Sequence, residues 1–130
     1  NSLEVIETAS AYLEENYGKK RPVFGGQKTE SLPAAQRASQ AALLAPVLRG
    51  LASSYKKMVG TFTDTDVVLQ FINSNDLGKL APMGTSCPDH FLRTKISPLV
   101  LDIPADIDLS DPTSLKADLE KEFQAYREMY

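Results

Sequence analysis

Lys57-Met58-Val59-Gly60-Thr61-Phe62-Thr63 is the stretch on which the reading of the fold turns. Its β-branched and aromatic residues read as a short strand. Thr63-Asp64 then offers a cap for a helix through Val67, Val68, Leu69, Phe71 and Ile72, ending near Asn73-Ser74-Asn75. Further on, Ile96 to Ile103 is rich in the aliphatic residues of a buried strand. A strand–helix–strand order favours a parallel pair with a right-handed crossover. The expected fold class is therefore α/β and helix-rich: a small, mainly parallel sheet of about two strands, flanked by roughly four or five helices.

Outward from this unit, residues 3–17 predict a helix. Leu3, Ile6, Ala9, Ser10, Leu13 and Tyr17 recur at three- and four-residue steps, and Glu4, Glu7, Glu14 and Glu15 take the other side. Gly18 stands where a helix commonly stops, and 18–32 reads as a connector holding Lys19-Lys20-Arg21, Pro22 and Gly25-Gly26. The basic triplet complements a helix end or, in a sharper reading, meets an anion. The glycine pair lacks the lysine and helix start of a phosphate loop. Region 33–53 opens on Pro33 and is alanine-rich, and Pro46 is expected to kink or split it. A last helix, from about Asp111, carries Leu115, Leu119, Phe123 and Tyr126 on one face. Asp106, Asp108 and Asp111 precede it without the glycine and distal glutamate of a calcium loop.

At 130 residues with 42% hydrophobic side chains, the chain suits one domain spanning 1–130. A net charge of -3 gives no general attraction to nucleic acid. No apolar stretch approaches the ~20 residues that cross a bilayer, and no secretory signal is present. A single cysteine cannot form an internal disulfide and fits a reducing cytoplasm. The chain starts without Met in a helical pattern and stops within another, which reads as a piece of a longer protein.

Polar chemistry concentrates in Gly84-Thr85-Ser86-Cys87-Pro88-Asp89-His90-Phe91-Leu92-Arg93-Thr94-Lys95, which holds the only Cys and the only His. Cys87 and His90 are three apart, whereas the fold normally brings a catalytic Cys–His pair together from distant positions. The bland reading of Cys87 is a small buried residue beside a turn. Cys87, Asp89 and His90 lack the second ligand cluster a zinc site draws on. Anion or interface contact is the better reading. Thr85 or Ser86 caps a turn at Pro88, and Arg93 and Lys95 add charge suited to phosphate or carboxylate. Against it stands a local Asp89–Arg93 ion pair with His90 donating to a carbonyl. The candidate residues are Thr85, Ser86, His90, Arg93 and Lys95, with no catalytic and no metal residue assigned.

The run GTSCPDHFLRTK followed by SPLVLDIP resembles a signature segment of bacterial bifunctional proteins. These join a class II (adducin-like) aldolase region to a short-chain dehydrogenase, of the rhamnulose-1-phosphate aldolase/alcohol or lactaldehyde dehydrogenase type. Leu3 to Ala9 resembles the helix that closes the aldolase core. Val47-Leu48-Arg49-Gly50-Leu51 and Met58 to Asp64 resemble the stretch between the two catalytic regions. The resemblance implies a middle region over 33–130, with divalent zinc and NAD(P) in the parent protein and neither in this piece. The aldolase zinc is bound by several histidines, and only His90 is present. The dehydrogenase pair Tyr-x-x-x-Lys is absent: four residues after Tyr12, Tyr17, Tyr55 and Tyr126 stand Asn16, Arg21, Val59 and Tyr130. The implied role is a segment that is non-catalytic alone. Its implied partners are the flanking aldolase and dehydrogenase domains, and homo-oligomer formation is compatible with it. The alternatives are an independent α/β interaction module and a small Cys-dependent enzyme.

Overall fold

A computed structural model describes residues 1–18, 21–85, 87–104 and 107–129. Its elements are α1 (Ser2–Leu13) with a π-helical turn at Glu14–Gly18, a 3-10 turn at Val23–Gly25, α2 (Ala34–Ala52), α3 (Asp66–Ile72), α4 (Leu77–Leu80) running into a 3-10 turn at Ala81–Met83, α5 (Pro88–Phe91) and α6 (Pro112–Glu128).

The expected sheet is not there. Among the described residues there is no strand, and the only bridge recorded is an isolated antiparallel one between Gln27 and Ser74. The α/β expectation, with its parallel strand pair, is therefore corrected to a helical fold. The reason lies in how the two apolar stretches are used. Leu99, Leu101 and Ile103 turn inward while Val100 and Asp102 stay exposed, which is the alternation of a strand. Leu101 and Ile103, however, pack on a pair of helices instead of beside a second strand. The stretch 57–63 lies elsewhere on the surface, with Val59 89% exposed. Met58 bonds the Ser53 hydroxyl and the Arg49 guanidinium instead of a second strand, and without a paired strand among the described residues neither stretch becomes a ladder.

The core lies between α2 and α6. Val47 and Leu51 meet Leu115 and Leu119, with Leu44, Leu48, Ile107, Leu109 and Phe123 around them. The four-residue steps 47/51 and 115/119 put each pair on one helix face. Pro46 does not split α2, which runs on through it; the cost is one backbone donor in a helix whose next residue is buried. Arg127 clamps the pair by donating to the Leu51 carbonyl. Asp111 caps α6, accepting from the Thr113 amide at 2.9 Å. Asp108 accepts from the amide and hydroxyl of Ser110 at 2.8 and 2.6 Å. Two of the three aspartates weighed for calcium thus have local structural partners, and Asp106 lies outside the described residues.

The connector is held by backbone. Lys28 N–H donates to the Asn73 carbonyl at 2.7 Å, Asp76 N–H to Phe24 O at 3.1 Å and Asn75 N–H to Gly26 O at 2.9 Å. Phe24, at φ 51, sets its ring edge-on to Phe71 with centroids 5.1 Å apart. Gly25 is required there, because at φ +76 a Cβ would stand 2.5 Å from Asp76 Oδ2. Asp64, expected to help cap α3, instead accepts from Arg37 Nε at 3.0 Å, and α3 starts at Asp66. Lys19 and Lys20 of the basic triplet lie outside the described residues.

The accessible surface is 10559 Å². A compact monomer of 14.2 kDa exposes about 6800 Å². The excess is largely helix and loop surface that this chain does not cover itself.

Candidate functional site

The polar run folds as a loop pinned at both ends. Gly84, at φ 74 and ψ -159, brings the chain so close to Ile96 that a Cβ would lie 2.5 Å from the Ile96 carbonyl oxygen. Ser97 Oγ donates to the Pro82 carbonyl at 3.0 Å, and the Tyr126 hydroxyl of α6 donates to the Ser97 carbonyl. Between these pins, Thr85 Oγ1 accepts from the Cys87 amide at 3.2 Å and donates to the Cys87 carbonyl at 3.1 Å. Thr85 thus bonds the residue that precedes α5; the N-cap of α5 is Cys87, which makes no side-chain cap, and Thr85 reaches no amide of the helix itself. His90 accepts at its carbonyl from the amides of Arg93 and Thr94 and from the Thr94 hydroxyl.

This pinning creates a cavity of about 470 Å³ against α3, the turn after α4, and α6. Thr85, Thr94 and Lys95 supply its polar groups, and Phe71, Leu80 and Ile96 supply much of its apolar wall. Two of the five candidate residues, Thr85 and Lys95, are thus brought together. His90 and Arg93 are exposed and outside the lining, and Ser86 lies outside the described residues. Among the described residues no ion pair joins Asp89 to Arg93, so the local pair weighed against anion contact does not form.

Cys87 is exposed, which corrects the expectation of a buried thiol. It meets His90 through backbone, the His90 amide donating to its carbonyl at 3.1 Å. Among the described residues no three His, Cys, Asp or Glu side chains gather to hold a metal. The donor set here does not fit zinc, and the chain has no Tyr-x-x-x-Lys pair for a dehydrogenase. No described helix is long and apolar enough to cross a membrane.

Sequence reasoning missed Tyr126 as part of this site, reading it as one more member of the apolar face of α6. The available signal was chemical: a half-buried tyrosine normally finds a partner for its hydroxyl. It also missed a second cavity of about 670 Å³ between the connector, α2 and α3, lined by Gln27, Ser31, Arg37, Asp66, Gln70 and Asn73 among others. Several of its polar groups already bond within the fold: Arg37 to Asp64, Asn73 to Ser31 and Gln27 to the Thr29 carbonyl.

Comparison with known proteins adds the context these side chains lack. A family model described as "Aldolase class II, second domain" matches residues 39–130. The chain is similar to "Uncharacterized oxidoreductase YuxG" of Bacillus subtilis (strain 168), 37% identical over 101 residues. That match takes in 78% of this chain and 14% of the relative, so the chain spans a small part of its relative's length. No solved structure matches it.

Proposed function

Since the chain belongs to the family of class II aldolase second domains, we propose that it is the middle segment of a bifunctional sugar-phosphate aldolase/short-chain dehydrogenase. The parent is of the rhamnulose-1-phosphate aldolase/alcohol or lactaldehyde dehydrogenase type and works in the cytoplasm. The family match supports the aldolase half, and the relative's printed name, an oxidoreductase, fits the other. In this reading the segment is non-catalytic alone. The parent's zinc and NAD(P) are held by other domains, and here the described side chains gather no comparable donor set.

What the segment contributes is an anion contact, and the carrying observation is the cavity whose lining includes both Lys95 and Thr85. A lysine ammonium in the lining of such a cavity suits the phosphate of a phosphorylated sugar or a carboxylate of an adjoining domain. Arg93, exposed two residues before Lys95, adds only long-range charge. The test is steady-state kinetics on the full-length parent. Lys95→Ala should raise KM for the phosphorylated sugar about tenfold, as loss of a charge-assisted bond implies, and Arg93→Ala should raise it less. Unchanged KM in both variants would leave the loop a structural role only.

A further inference from the structure

The cavity of about 670 Å³ between the connector, α2 and α3 is lined by an unusual helix face. Asp66, Gln70 and the C-cap Asn73 of α3 all reach it, and their steps of four and three put them on one stripe of the helix. A helix stripe that meets its own protein is ordinarily apolar. This one carries a carboxylate and two amides. Gln27 and Ser31 of the connector and Arg37 of α2 join the lining. Part of this set is fixed by the fold. Arg37 Nε donates to Asp64 Oδ2 at 3.0 Å, and its Nη1 donates to the Leu32 carbonyl. Asn73 Nδ2 donates to Ser31 Oγ at 2.9 Å, and Asn73 Oδ1 accepts from the Thr29 hydroxyl at 2.9 Å. The rest is open. Among the described residues, no recorded hydrogen bond or ion pair uses the Asp66 carboxylate, the Gln70 amide or Gln27 Oε1. These three side chains are exposed, so a ligand can reach them.

We propose that this cavity binds a neutral polyhydroxylated molecule, an unphosphorylated sugar or polyol, with Asp66 and Gln70 as its principal contacts. Three observations select that class. First, the charge is wrong for an anion. Arg37 is paired with Asp64, Nη2 to Oδ2 at 2.9 Å, whereas no recorded ion pair answers Asp66. A phosphate or carboxylate would therefore meet an uncompensated acid. Second, the open groups suit hydroxyls. An amide both donates and accepts, a carboxylate accepts, and each ligand hydroxyl can do either, so one polyol can engage all of them. Val23 and Val67 add apolar surface for its C–H groups. Third, no Cys or His lines the cavity, and the described residues gather no metal-holding cluster. The site is thus one of binding and not of reaction. It is separate from the anion contact at Thr85 and Lys95, which lines the other cavity.

Amide hydrogen exchange of the full-length parent, read by mass spectrometry with D-glucose, D-fructose, D-ribose and xylitol in turn, tests this. The Lys28 and Thr29 amides bond the Asn73 carbonyl at 2.7 and 3.2 Å, and a ligand bridging the connector and α3 holds that contact shut. At ten times its Kd, at least one probe should slow exchange over 26–31 and 66–73 about tenfold, leaving 84–97 unchanged. Excluded polyols stabilise a whole protein without a site and would slow all these segments alike. That outcome, or no slowing up to about 100 mM of any probe, overturns the proposal. Gln70→Ala and Asp66→Asn remove groups with no recorded partner, so both variants should fold. They should raise the Kd read from the slowing about fivefold and about tenfold. An unchanged Kd in both overturns the proposal. So does inorganic phosphate or ethylamine slowing these segments at lower concentration than every neutral probe, since the site then takes an anion or an amine. Lys95→Ala should leave this Kd unchanged, and a change would place the ligand in the other cavity. The sugar KM of Lys95→Ala is a different readout, so either proposal can fail alone.

Discussion

Two glycine-to-alanine substitutions should move stability in opposite directions. Gly84 sits at φ 74 and ψ -159, a conformation essentially reserved for glycine, where a side chain costs about 1–3 kcal/mol. An added Cβ would also stand 2.5 Å from the Ile96 carbonyl oxygen and 2.9 Å from Ile96 Cγ2, and the nearer contact is backbone. The two effects together make Gly84→Ala worse by about 2–4 kcal/mol wherever the 84–97 loop stays closed. Gly50 lies in α2 with nothing within 4 Å of its would-be Cβ, so Gly50→Ala should add about 0.5–1 kcal/mol. Urea unfolding followed by far-UV circular dichroism reads both. With a slope of about 1–3 kcal/mol/M, the Gly84→Ala midpoint should fall by about 1 M or more. If the loop opens separately from the α2–α6 core, the midpoint holds and the loss appears instead as faster amide exchange over 84–97. A Gly84→Ala protein with neither change would refute the argument that the loop closes on a glycine.

Other consequences are simpler to check. Leu115 is 0% exposed between α2 and α6, so Leu115→Ala should cost about 3–5 kcal/mol in the same melts. Leu92→Ala, at a residue 87% exposed, should stay within about 0.5 kcal/mol of the parent. The Asp108 carboxyl is held below its ordinary value, chiefly by the Ser110 hydroxyl and then by the Ser110 amide, with desolvation opposing and the Asp111 amide adding a smaller lowering. A lowered folded pKa gives stability that is present above the unfolded carboxylate value near pH 4 and lost as pH falls through the folded one. NMR titration should find the Asp108 midpoint below that of an ordinary aspartate, and Ser110→Ala should raise it.

The helices were legible because their information is local. Leu115, Leu119, Phe123 and Tyr126 announce α6 by spacing alone, and Asp111 announces its start. The strands misled because strand composition is only half of a strand. Residues 57–63 and 96–103 have the right side chains, but a ladder needs a second chain segment, and spacing within one segment cannot supply it. Long-range partners were hidden for the same reason. Arg37 finds Asp64 across 27 positions, and Tyr126 finds Ser97 across 29. Of the candidate site, the short helical turn opened by Pro88 was readable from its own residues. The meeting of Thr85 with Lys95 at a cavity depended on a glycine contact that no local rule announces.

The connector carries a consequence for how this chain can vary among relatives. Part of its hold on residues 73–76 runs between amides and carbonyls, which every residue but proline can supply in full, and part through the side chains of Thr29, Asn73 and Asn75. The side chains of Lys28 and Glu30 are then free to drift more than those of Gln27 and Thr29, which bond the Thr29 carbonyl and Asn73 Oδ1, while an insertion or deletion would slide each donor past its acceptor. Gly25 is the exception, because its lack of a side chain is itself the fit against Asp76. In a collection of related sequences this stretch should look divergent in letters and rigid in length, with one fixed glycine as its marker.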